Sequence, residues 1–580
     1  MIDVELTVPG RGWSAALDLR WLMGTDARDA CCLRVWRTGG VECAAGVMPG
    51  VGFATCDPVP LRPGENCLRF AVGWAGDAAG AMSAARRFLE GEVPPAPSPA
   101  PGLVVDTPDD ALNRMMNVFL PHQVLASRVL GRTGYYQPGG AYGFRDQLQD
   151  MLALIPTDPG RVRRHLLLCA GRQFAAGDVL HWWHAPALGV RTRIRDDRVF
   201  LPFVTAAYVR QTGDAGVLSE VVPYLEDAPI PEDREDLFQP MVPGAASGTL
   251  HEHCLRAFRA TDAVGRHGLA LMGAGDWNDG MNRVGSGGRG ESVWLSMFLA
   301  AAAEDYAEIC PDAADAAALR ALACRHRAAV ERFGWAGGWY LRAFDDDGAS
   351  LRQLDLIAQA WAVLSGLDEA RARAAVDAAR ARLVDEANGI IRLLDPPFAP
   401  EDPDPGYIRG YPGGVRENGA QYTHAACWLL LALIRLGDAD RAHGTLRMLL
   451  PPRHADTPEK AERYRVEPYV MAGDICALPG QEGRGGWTWY TGSAAWLYMC
   501  VLELLGYERR GDRVRLRALL GKWPEASVTL RFGKSAYRLV CKKDAREVTL
   551  DGHAIPGDFI TLTDDGGTHE AVFPPRVSEP

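Results

Sequence analysis

The residues best suited to chemistry lie in a glycine-rich segment that holds two carboxylates. The run LMGAGDWNDGMNRVGSGGRGESVW, residues 271–294, places Asp276 and Asp279 on either side of Trp277 and Asn278. Such a loop presents its acids to a cavity. A carboxylic acid can protonate the oxygen that leaves when a glycosidic bond breaks, and a neighbouring Trp supplies a stacking face for a sugar and an apolar setting that raises a carboxyl pKa. Both aspartates are therefore candidates, although either could instead cap the following helix or bind backbone amides.

A second polar group precedes an expected helix. In GRTGYYQPGGAYGFRDQLQDMLAL, which starts at Gly131, Arg145 and Asp146 stand at the mouth of a helix that should begin near Gln147. An Asp at a helix start can be an ordinary cap, and a buried Arg often serves as the structural partner of such an Asp. The segment alone leaves a binding role and a structural role open for both residues.

A third segment is dense in His, Trp and Arg. It reads GDVLHWWHAPALGVRTRIRDD and covers residues 177–197. Two histidines three residues apart could suggest a metal, but catalytic zinc sites usually need a third ligand, and no HExxH spacing occurs in the sequence. We therefore expect no metal site. We interpret Trp182, Trp183 and His184 as sugar contacts or pocket walls, with packing at least as good an explanation for either Trp alone.

Two further segments suggest where an anion would bind. They are GGVRENGAQYTHAACW, residues 413–428, and GRGGWTWYTGSAAW, residues 483–496. In the second, Thr491 and Gly492 precede the apolar run SAAWLYMCVLELL. A helix that starts here would offer free backbone amides and the positive end of its dipole to an anion. For Thr491 taken alone, an ordinary N-cap is the alternative.

These five motifs together resemble the inverting disaccharide and oligosaccharide phosphorylases of glycoside hydrolase family 94, of which GDWNDGMN is a hallmark. The resemblance covers most of residues 65–575. It implies that Asp279 is the general acid and that Trp277 lines the subsite of the transferred glucosyl unit. It also favours Asp146 as a ligand of sugar hydroxyls, with Arg145 as a second contact or as the structural partner of Asp146.

The same resemblance implies a division of the remaining site residues between sugar and phosphate. Arg416 and Glu417 would contact the glucosyl unit, while His424, Thr491 and Gly492 would hold inorganic phosphate. Arg128 in LASRVLGRTG would complete the phosphate site. Its spacing to Asp146 is one residue longer than in the cellobiose enzymes, so Arg132 remains a competitor. Phosphate is then a co-substrate, and no cofactor is expected.

The substrate linkage is the point at which the sequence departs from the cellobiose and chitobiose enzymes. Gly139 and Gly140 stand where those enzymes have an Arg near the bound sugar. The order of the motifs is more similar to the phosphorylase-like region of cyclic β-1,2-glucan synthases, which implies β-1,2-linked gluco-oligosaccharides, with β-1,4 linkage as the runner-up. Trp182, Trp183, Arg191 and Arg193 could line the acceptor route. Alternatively, the two glycines only permit a tight turn.

Other functions fit the sequence less well. A phosphorylase needs one carboxylate because phosphate itself attacks the anomeric carbon, whereas an inverting hydrolase needs two, which here would be Asp279 and Glu417. A carbohydrate-binding protein without activity would not need the acid. Dinucleotide and nucleotide enzymes are disfavoured because neither GxGxxG nor GxxxxGK[ST] follows an expected strand. A net charge of -11 argues against nucleic acid as a partner.

The elements that must position these residues differ along the 580-residue chain. Short apolar pieces broken by Gly and Pro, such as VELTV, CLRVW and NCLRFAVG, predict a truncated β-sandwich-like domain in residues 1–91, and residues 92–110 form a Pro-rich linker. Helical periodicity with Gly-rich loops predicts an (α/α)6 toroid over residues 111–520, with helices in the runs that start at Ser292, Asp312, Leu356, Thr423 and Gly492. The period returns to two after that, in SVTLRF, AYRLVC, EVTLDG and FITLTDD, so we expect a small C-terminal β domain in residues 521–580. The fold class is therefore mainly α with β appendages.

Location and assembly complete the sequence-based picture. The first residues, MIDVELTVPGRGW, lack the pattern of a secretory signal, and no run is long and apolar enough to span a bilayer. Thirteen cysteines without a CxxC pair are typical of free thiols in a reducing compartment. We expect a cytoplasmic protein that is not associated with membranes. The family resemblance implies a homodimer.

Overall fold

The computed structural model describes residues 102–131, 141–184, 188–226, 229–231 and 233–576, together with the backbone of the strands between residues 2 and 70. The chain divides into two compact units, Met1–Ala100 and Pro101–Pro580. The division falls within the segment predicted to be a Pro-rich linker. The other predicted domain boundaries remain predictions.

The described residues of the first unit form strands. These are β1 (Ile2–Val8), β2 (Trp13–Leu22), β3 (Ala30–Arg37), β4 (Val47–Met48), β5 (Val51–Thr55), β6 (Val59–Leu61) and β7 (Gly64–Phe70). Strands β1 and β7 pair with each other, and a second antiparallel sheet has the order β3-β2-β5-β4, with β6 also on β2. The strands predicted from VELTV, CLRVW and NCLRFAVG are confirmed; their arrangement as a sandwich remains a prediction.

Helices in close succession dominate the second unit. They are α1 (Asp110–Arg114), α2 (Leu120–Val124), α3 (Phe144–Leu154), α4 (Pro159–Ala170), α5 (Phe200–Thr212), α6 (Leu250–Thr261), α7 (Val293–Ala307), α8 (Ala313–Ala329), α9 (Leu356–Leu364), α10 (Glu369–Leu383), α11 (Thr423–Arg435), α12 (Ala439–Leu449), α13 (Pro458–Tyr464) and α14 (Ser493–Leu504). The helices expected from the runs at Ser292, Asp312, Leu356, Thr423 and Gly492 are confirmed.

Packing sorts these helices into two sets. Helices α3, α5, α7, α9, α11 and α14 each pack on the next, and α14 packs on α3. Helices α2, α4, α6, α8, α10 and α12 pack on the outside of members of that succession. The first set is apolar on nearly all sides: almost every residue of α7 and α11 is buried. A helix that is apolar all round is stable only when neighbours surround it, as here.

Short strands lie just before several of these inner helices. Strand β9 (Ala141–Gly143) precedes α3, β16 (Glu291–Ser292) precedes α7, β18 (Leu354–Asp355) precedes α9, and β22 (Gln421–Tyr422) precedes α11. The remaining short strands are β10 (Leu180–His184), β11 (Leu188–Thr192), β12 (Val221–Leu225), β13 (Asp236–Pro240), β14 (Pro243–Thr249), β15 (Ala270–Leu271), β17 (Ala343–Phe344), β19 (Val384–Asp385), β20 (Ile390–Ile391), β21 (Leu394–Asp395) and β23 (Asp474–Ile475). Strands β9, β16, β18 and β22 thus lie directly at the N-terminal ends of inner helices.

The end of the chain returns to strands. They are β24 (Tyr507–Arg510), β25 (Arg513–Leu516), β26 (Glu525–Phe532), β27 (Ser535–Lys542), β28 (Thr549–Leu550), β29 (His553–Ala554), β30 (Ile560–Thr561) and β31 (Thr568–Phe573). The largest sheet has the order β29-β28-β31-β27-β26-β8, where β8 is Leu103–Asp106. The strands predicted from SVTLRF and AYRLVC are confirmed. Strand β8 lies inside the segment predicted to be a linker and occupies the edge of this sheet.

None of the helices in the described ranges has the length and apolarity that crossing a membrane would require.

Candidate active site

A cavity of about 300 Å³ lies at the N-terminal ends of α3, α11 and α14. It brings together most of the residues that the sequence singles out. Those in its wall are Arg128, Arg145, Asp146, Trp277, Asp279, Arg416, Glu417, His424, Thr491 and Gly492. Trp182, Trp183 and His184 do not line it, and Arg132, Gly139 and Gly140 lie outside the described residues.

Asp279 opens a short 3-10 turn, Asp279–Met281, whose start is capped by the side chain of Asn278. One carboxylate oxygen accepts a hydrogen bond from Arg145 Nη2 at 2.6 Å, and the other lies 3.6 Å from His181 Nε2. The carboxylate is one third exposed, with 33% of its side-chain surface open to the cavity. It is therefore reachable by a ligand while being held by two cations.

The electrostatics of Asp279 differ from the sequence-based expectation. Burial raises the pKa of the carboxyl, but the charges of Arg145 and His181 and the hydrogen bond from Arg145 lower it by more, so that the pKa lies well below its usual range. The expectation that a Trp-lined, apolar setting would raise this pKa is wrong. Two cations at close range outweigh the loss of solvation, and Asp279 is ionised in the ligand-free site.

Arg145 is held from behind as well as by Asp279. Its Nη1 donates to both oxygens of Asp196 at 2.8 and 3.0 Å and to the carbonyl of Asp276 at 2.9 Å. Asp196 is fully buried. Its Nε also lies 3.6 Å from Asp197 Oδ1, so two buried carboxylates hold the guanidinium while Asp279, its third partner, faces the cavity.

His181 was not predicted from the sequence. Its Nδ1 is 2.8 Å from Asp197 Oδ2, so the imidazole stands between Asp197 and Asp279. Burial lowers the pKa of His181, but the charges of Asp197 and Asp279 raise it more, and the net pKa lies well above the usual value. Strand alternation could not have found it, because the pairing of β10 with β11 shifts register between Leu180 and Trp182, and His181 stands at that irregularity.

Asp276, the second candidate acid, lies in a buried ion pair away from the cavity. Both of its oxygens accept hydrogen bonds from the Arg342 guanidinium, at 2.5 and 2.7 Å, and one also accepts from Ser292 Oγ at 2.6 Å. Its side chain is 0% exposed. The pair anchors the loop from below, whereas only Asp279 reaches the cavity.

Asp146 lies in the first turn of α3 because the helix begins at Phe144, three residues before the expected start near Gln147. It is therefore not a cap. Its Oδ1 accepts from Arg128 Nη1 at 2.9 Å, and Arg128 also makes a two-pronged ion pair with the buried Asp150, at 2.8 Å for both contacts. Asp150, which the sequence reasoning missed, orients Arg128 in the cavity wall.

The start of α14 forms another wall. Gly492 is its N-cap, and a Cβ built at this position would lie 2.8 Å from Arg128 Nη2 and 3.2 Å from His424 Cε1. A side chain at position 492 would thus collide with Arg128. The Thr491 hydroxyl accepts from the Ser493 amide at 3.2 Å and lies 3.0 Å from Ser493 Oγ, so Thr491 also satisfies one amide at the helix start.

His424 occupies the first turn of α11 and is only 5% exposed. Burial and the nearby charges of Arg128 and Arg145 lower its pKa well below the usual value, so the imidazole is neutral. Its Nε2 is buried and has no hydrogen-bond partner among the described residues. The ring meets Trp277 edge-on with centroids 5.3 Å apart, which joins the helix-start wall to the acid loop.

Aromatic rings and one strained arginine complete the cavity. Arg416 has a φ of +48°, a left-handed conformation that costs energy for a side-chain-bearing residue. Its Nε donates to Glu417 at 3.3 Å, and its guanidinium lies over the rings of Tyr411 and Trp487. Wall residues that the sequence reasoning missed are Gln149, Tyr407, Tyr411, Tyr422, Gly473, Asp474, Trp487 and Tyr490. Several stand in or beside the quoted motifs, and a count of aromatics there could have found them.

The HWWH segment packs away from this cavity. Trp183 is buried against Tyr142, with the Arg172 guanidinium 5.8 Å from its ring, while Trp182 contacts the rings of Phe238 and His184. Packing is the role that these contacts describe for both tryptophans. Of that segment, it is the unselected His181 that reaches the acid.

Comparison with known proteins adds relatives of two kinds. The chain is 44% identical over 458 residues to the cyclic beta-(1,2)-glucan synthase NdvB of Rhizobium meliloti (strain 1021), which covers 76% of this chain and 16% of that protein. It is 31% identical over 491 residues to the solabiose phosphorylase of Paenibacillus borealis, covering 80% of this chain and 60% of that protein. The chain thus spans three fifths or less of the length of these relatives.

A solved structure and a family model agree with these relatives. The crystal structure of a GH78 family rhamnosidase of Bacillus sp. GL1 aligns with a TM-score of 0.54 at 11% identity, over 100% of this chain and 53% of that chain, which shows a similar fold alone. Residues 101–506 match the model of the glycosyl hydrolase 94 superfamily, catalytic domain. The chain therefore belongs to the glycosyl hydrolase 94 superfamily and carries its catalytic domain.

Proposed function

We propose that this protein catalyses the reversible, inverting phosphorolysis of a β-linked gluco-oligosaccharide, which releases α-D-glucose 1-phosphate and a shortened sugar. The observation that carries the proposal is the shared cavity: an exposed acid, Asp279, and an anion-binding helix start, Thr491-Gly492, line the same space. The relative named as a solabiose phosphorylase supports the same reaction type.

Phosphate would bind where α14 begins. The helix dipole and free amides favour an anion there. Arg128 donates four hydrogen bonds to Asp146 and Asp150. Because a guanidinium has five N–H groups, one N–H remains for a ligand. The neutral His424 can donate one further hydrogen bond. An anion so held attacks the anomeric carbon directly, and no catalytic base is needed.

The acid must gain a proton before it can act, because Asp279 is ionised beside two cations. We assign the proton to His181, whose Nε2 lies 3.6 Å from Asp279 Oδ2 and whose Nδ1 is held by Asp197. The proton passes from Nε2 to Asp279 and then to the departing glycosidic oxygen, as the new bond between phosphate oxygen and C1 forms and the old C–O bond breaks. His181 ends neutral and regains its proton from solvent. Arg145 holds the resulting carboxylate.

The glucosyl unit would contact the remaining wall. Asp146 and Glu417 can accept hydrogen bonds from sugar hydroxyls, Arg416 can donate them, and Trp277 offers an apolar face. Proposed sugar contacts are limited to residues that line the cavity. Trp182, Trp183 and His184 are not among them.

For the architecture we propose an (α/α)6 toroid with a β-sandwich-like N-terminal domain and a small C-terminal β domain. The succession in which α3, α5, α7, α9, α11 and α14 pack on one another and return to α3 supports the toroid. A homodimer rests on the family resemblance alone. A cytoplasmic location is supported by the free thiols of the cysteines in the described ranges.

For the linkage we propose β-1,2, with β-1,4 as the runner-up. The relative named as a cyclic beta-(1,2)-glucan synthase matches at 44% identity, against 31% for the solabiose phosphorylase. The experiment compares sophorose and sophorotriose with cellobiose and laminaribiose at equal concentration, each with and without inorganic phosphate. We expect phosphate-dependent release of glucose 1-phosphate, fastest from the β-1,2 sugars. A clear preference for cellobiose overturns the linkage, and free glucose at equal rates without phosphate overturns phosphorolysis in favour of hydrolysis.

A further inference from the structure

A second cavity, of about 780 Å³, lies beside the loop that carries the candidate acid. Its walls come from the segment 191–198, from residues around Arg234 and from the glycine-rich residues 273–288. None of its lining residues lines the first cavity. Five of them are arginines, including the Arg191 and Arg193 that the sequence suggested for an acceptor route.

Two of these arginines have no carboxylate within ion-pair distance in the described parts of the chain, although the charges of Asp178, Asp196 and Asp197 act on one of them, Arg198. Arg195 makes neither an ion pair nor a side-chain hydrogen bond there, and burial together with the charge of Arg198 lowers its pKa to about 10. Arg198 is only 7% exposed and donates to the carbonyl of Ile194 at 3.1 Å, while its Nε is buried and unbonded. Burying a guanidinium without a counter-ion is costly.

Arg193, an exposed residue of the same wall, also has no carboxylate within ion-pair distance among the described residues. Its side chain donates to three main-chain carbonyls, those of Arg234 at 3.1 Å, Ile230 at 3.2 Å and Pro231 at 3.0 Å. Main-chain carbonyls orient the guanidinium but carry no net charge. Its position is therefore set while its charge stays available.

The acids of this cavity are already engaged or too few. Asp178 is held by Arg191 through two contacts at 2.6 and 2.9 Å, and Glu235 accepts from Asn282 at 3.1 Å. Asp233 is the third lining acid, against five arginines. Among the described residues of its wall, arginines therefore outnumber acids by five to three.

We propose that this cavity is a second anion-binding site, separate from the catalytic one, that takes phosphate or a phosphate monoester. A planar guanidinium presents paired N–H groups that match the oxygens of a phosphate, and such charge-assisted bonds are stronger than neutral ones. A neutral sugar would leave the charge of Arg195 without a counter-ion. An anion would supply one.

The second cavity is connected to the loop that carries Asp279 by main-chain contacts between residues 193–195 and 273–275. Gly273 has a φ of +65°, and a Cβ built there would lie 2.4 Å from the carbonyl oxygen of Arg193, so that only glycine allows the two segments to approach. The Ala274 amide donates to Arg193 and the Arg195 amide to Gly275, at 3.3 and 3.2 Å. A bound anion would thus brace the loop that ends in Asp279.

The test is equilibrium dialysis of the full chain against radiolabelled inorganic phosphate. We expect two sites per chain in the wild type. The double variant Arg195→Gln, Arg234→Gln should bind one phosphate about tenfold or more weakly and leave the other unchanged. Thr491→Ala should weaken the other site instead. Arg531→Gln, an exposed arginine without an ion pair in the described structure, is the matched control and should change neither.

The outcomes separate this inference from the proposed reaction. Competition by unlabelled α-glucose 1-phosphate at the site that survives in Thr491→Ala would assign a phosphate ester, and competition by inorganic phosphate alone would assign the free anion. A wild type that binds at most one phosphate, lost in Thr491→Ala, overturns the second site. A second phosphate that the double variant and the single variant Arg234→Gln both bind normally, with unchanged thermal unfolding, also overturns it.

Discussion

The two cavities use the same residue type in opposite ways. In the first, arginines of the wall have carboxylates within ion-pair distance: Arg128 has Asp150, and Arg145 has Asp196. His181, which contacts Asp279 but does not line the cavity, has Asp197. In the second, Arg195 and Arg198 have none in the described structure. Paired cations are rigid and preset the charge of their partner, which suits a site that must move a proton and hold a sugar. A cation without a carboxylate partner can instead form its ion pair with an anionic ligand, which suits the proposed anion site.

The largest effect is expected when the candidate acid of the first cavity, Asp279, is replaced. Asp279→Asn should lower kcat by about 10²–10⁴-fold while sugar binding stays nearly intact, because general acid catalysis contributes on that order. Single-turnover rates and sugar affinity measured on the same protein check this.

Asp276→Asn is the control, since Asp276 lies three residues away but is fully buried with Arg342. It should lower the free energy of unfolding by about 3–5 kcal/mol, the cost of breaking a buried pair, and its effect should appear in thermal unfolding. Near-normal turnover in Asp279→Asn would move the acid role elsewhere.

Replacing His181, which lies between Asp197 and Asp279, tests whether this histidine supplies the proton of the acid. His181→Gln should lower kcat by roughly tenfold or more, since the acid loses its proton source. The pKa of His181 is raised above 6.5, so the proton is kept until the pH rises through that higher value. Wild-type turnover should therefore fall only on the alkaline side, well above pH 6.5, and this limb should disappear in the variant. An unchanged pH profile contradicts the assignment.

Smaller effects are expected for the two residues assigned to phosphate, His424 and Thr491. His424→Ala and Thr491→Ala should each raise the KM for phosphate by about tenfold, the value of one hydrogen bond to a charged group, with less change in the KM for the sugar. Steady-state kinetics with either substrate varied measure both constants. If only the sugar constant rises, the division of the cavity between phosphate and sugar is wrong.

The smallest effect is expected outside both cavities. Trp182→Ala removes a ring that packs on Phe238 and His184, so both KM values should stay within about twofold of the wild type, as for substitutions away from a site. A large rise in the sugar KM would restore the HWWH segment as a sugar contact.

The sequence predicts the helices and strands, and the residues that share the first cavity, better than it predicts the pKa shifts of those residues. Periodicity was sufficient for α7, α11 and α14, since their apolar runs are long, and the Gly-rich and helix-start motifs did converge on one cavity. The start of α3 was placed three residues late because Gly143 carries no capping side chain to mark it.

The sign of the Asp279 pKa shift could not be read from neighbours in sequence. Trp277 is close to Asp279 along the chain. Arg145 and His181 precede Asp279 by 134 and 98 positions, and only folding brings them within reach of its carboxylate. Asp150 and Asp197, which orient Arg128 and His181, were missed for the same reason. Long-range ion pairs leave no periodic signal in a single sequence.

The identity of the nucleophile decides the central claim most directly. The measurement is cleavage of sophorotriose in the presence of phosphate labelled with ¹⁸O at all positions, followed by mass analysis of the sugar phosphate and the remaining sugar. Attack by phosphate on the anomeric carbon predicts α-glucose 1-phosphate that retains every labelled oxygen, and an unlabelled disaccharide. Free glucose that takes its oxygen from water, in place of the labelled ester, would contradict the account.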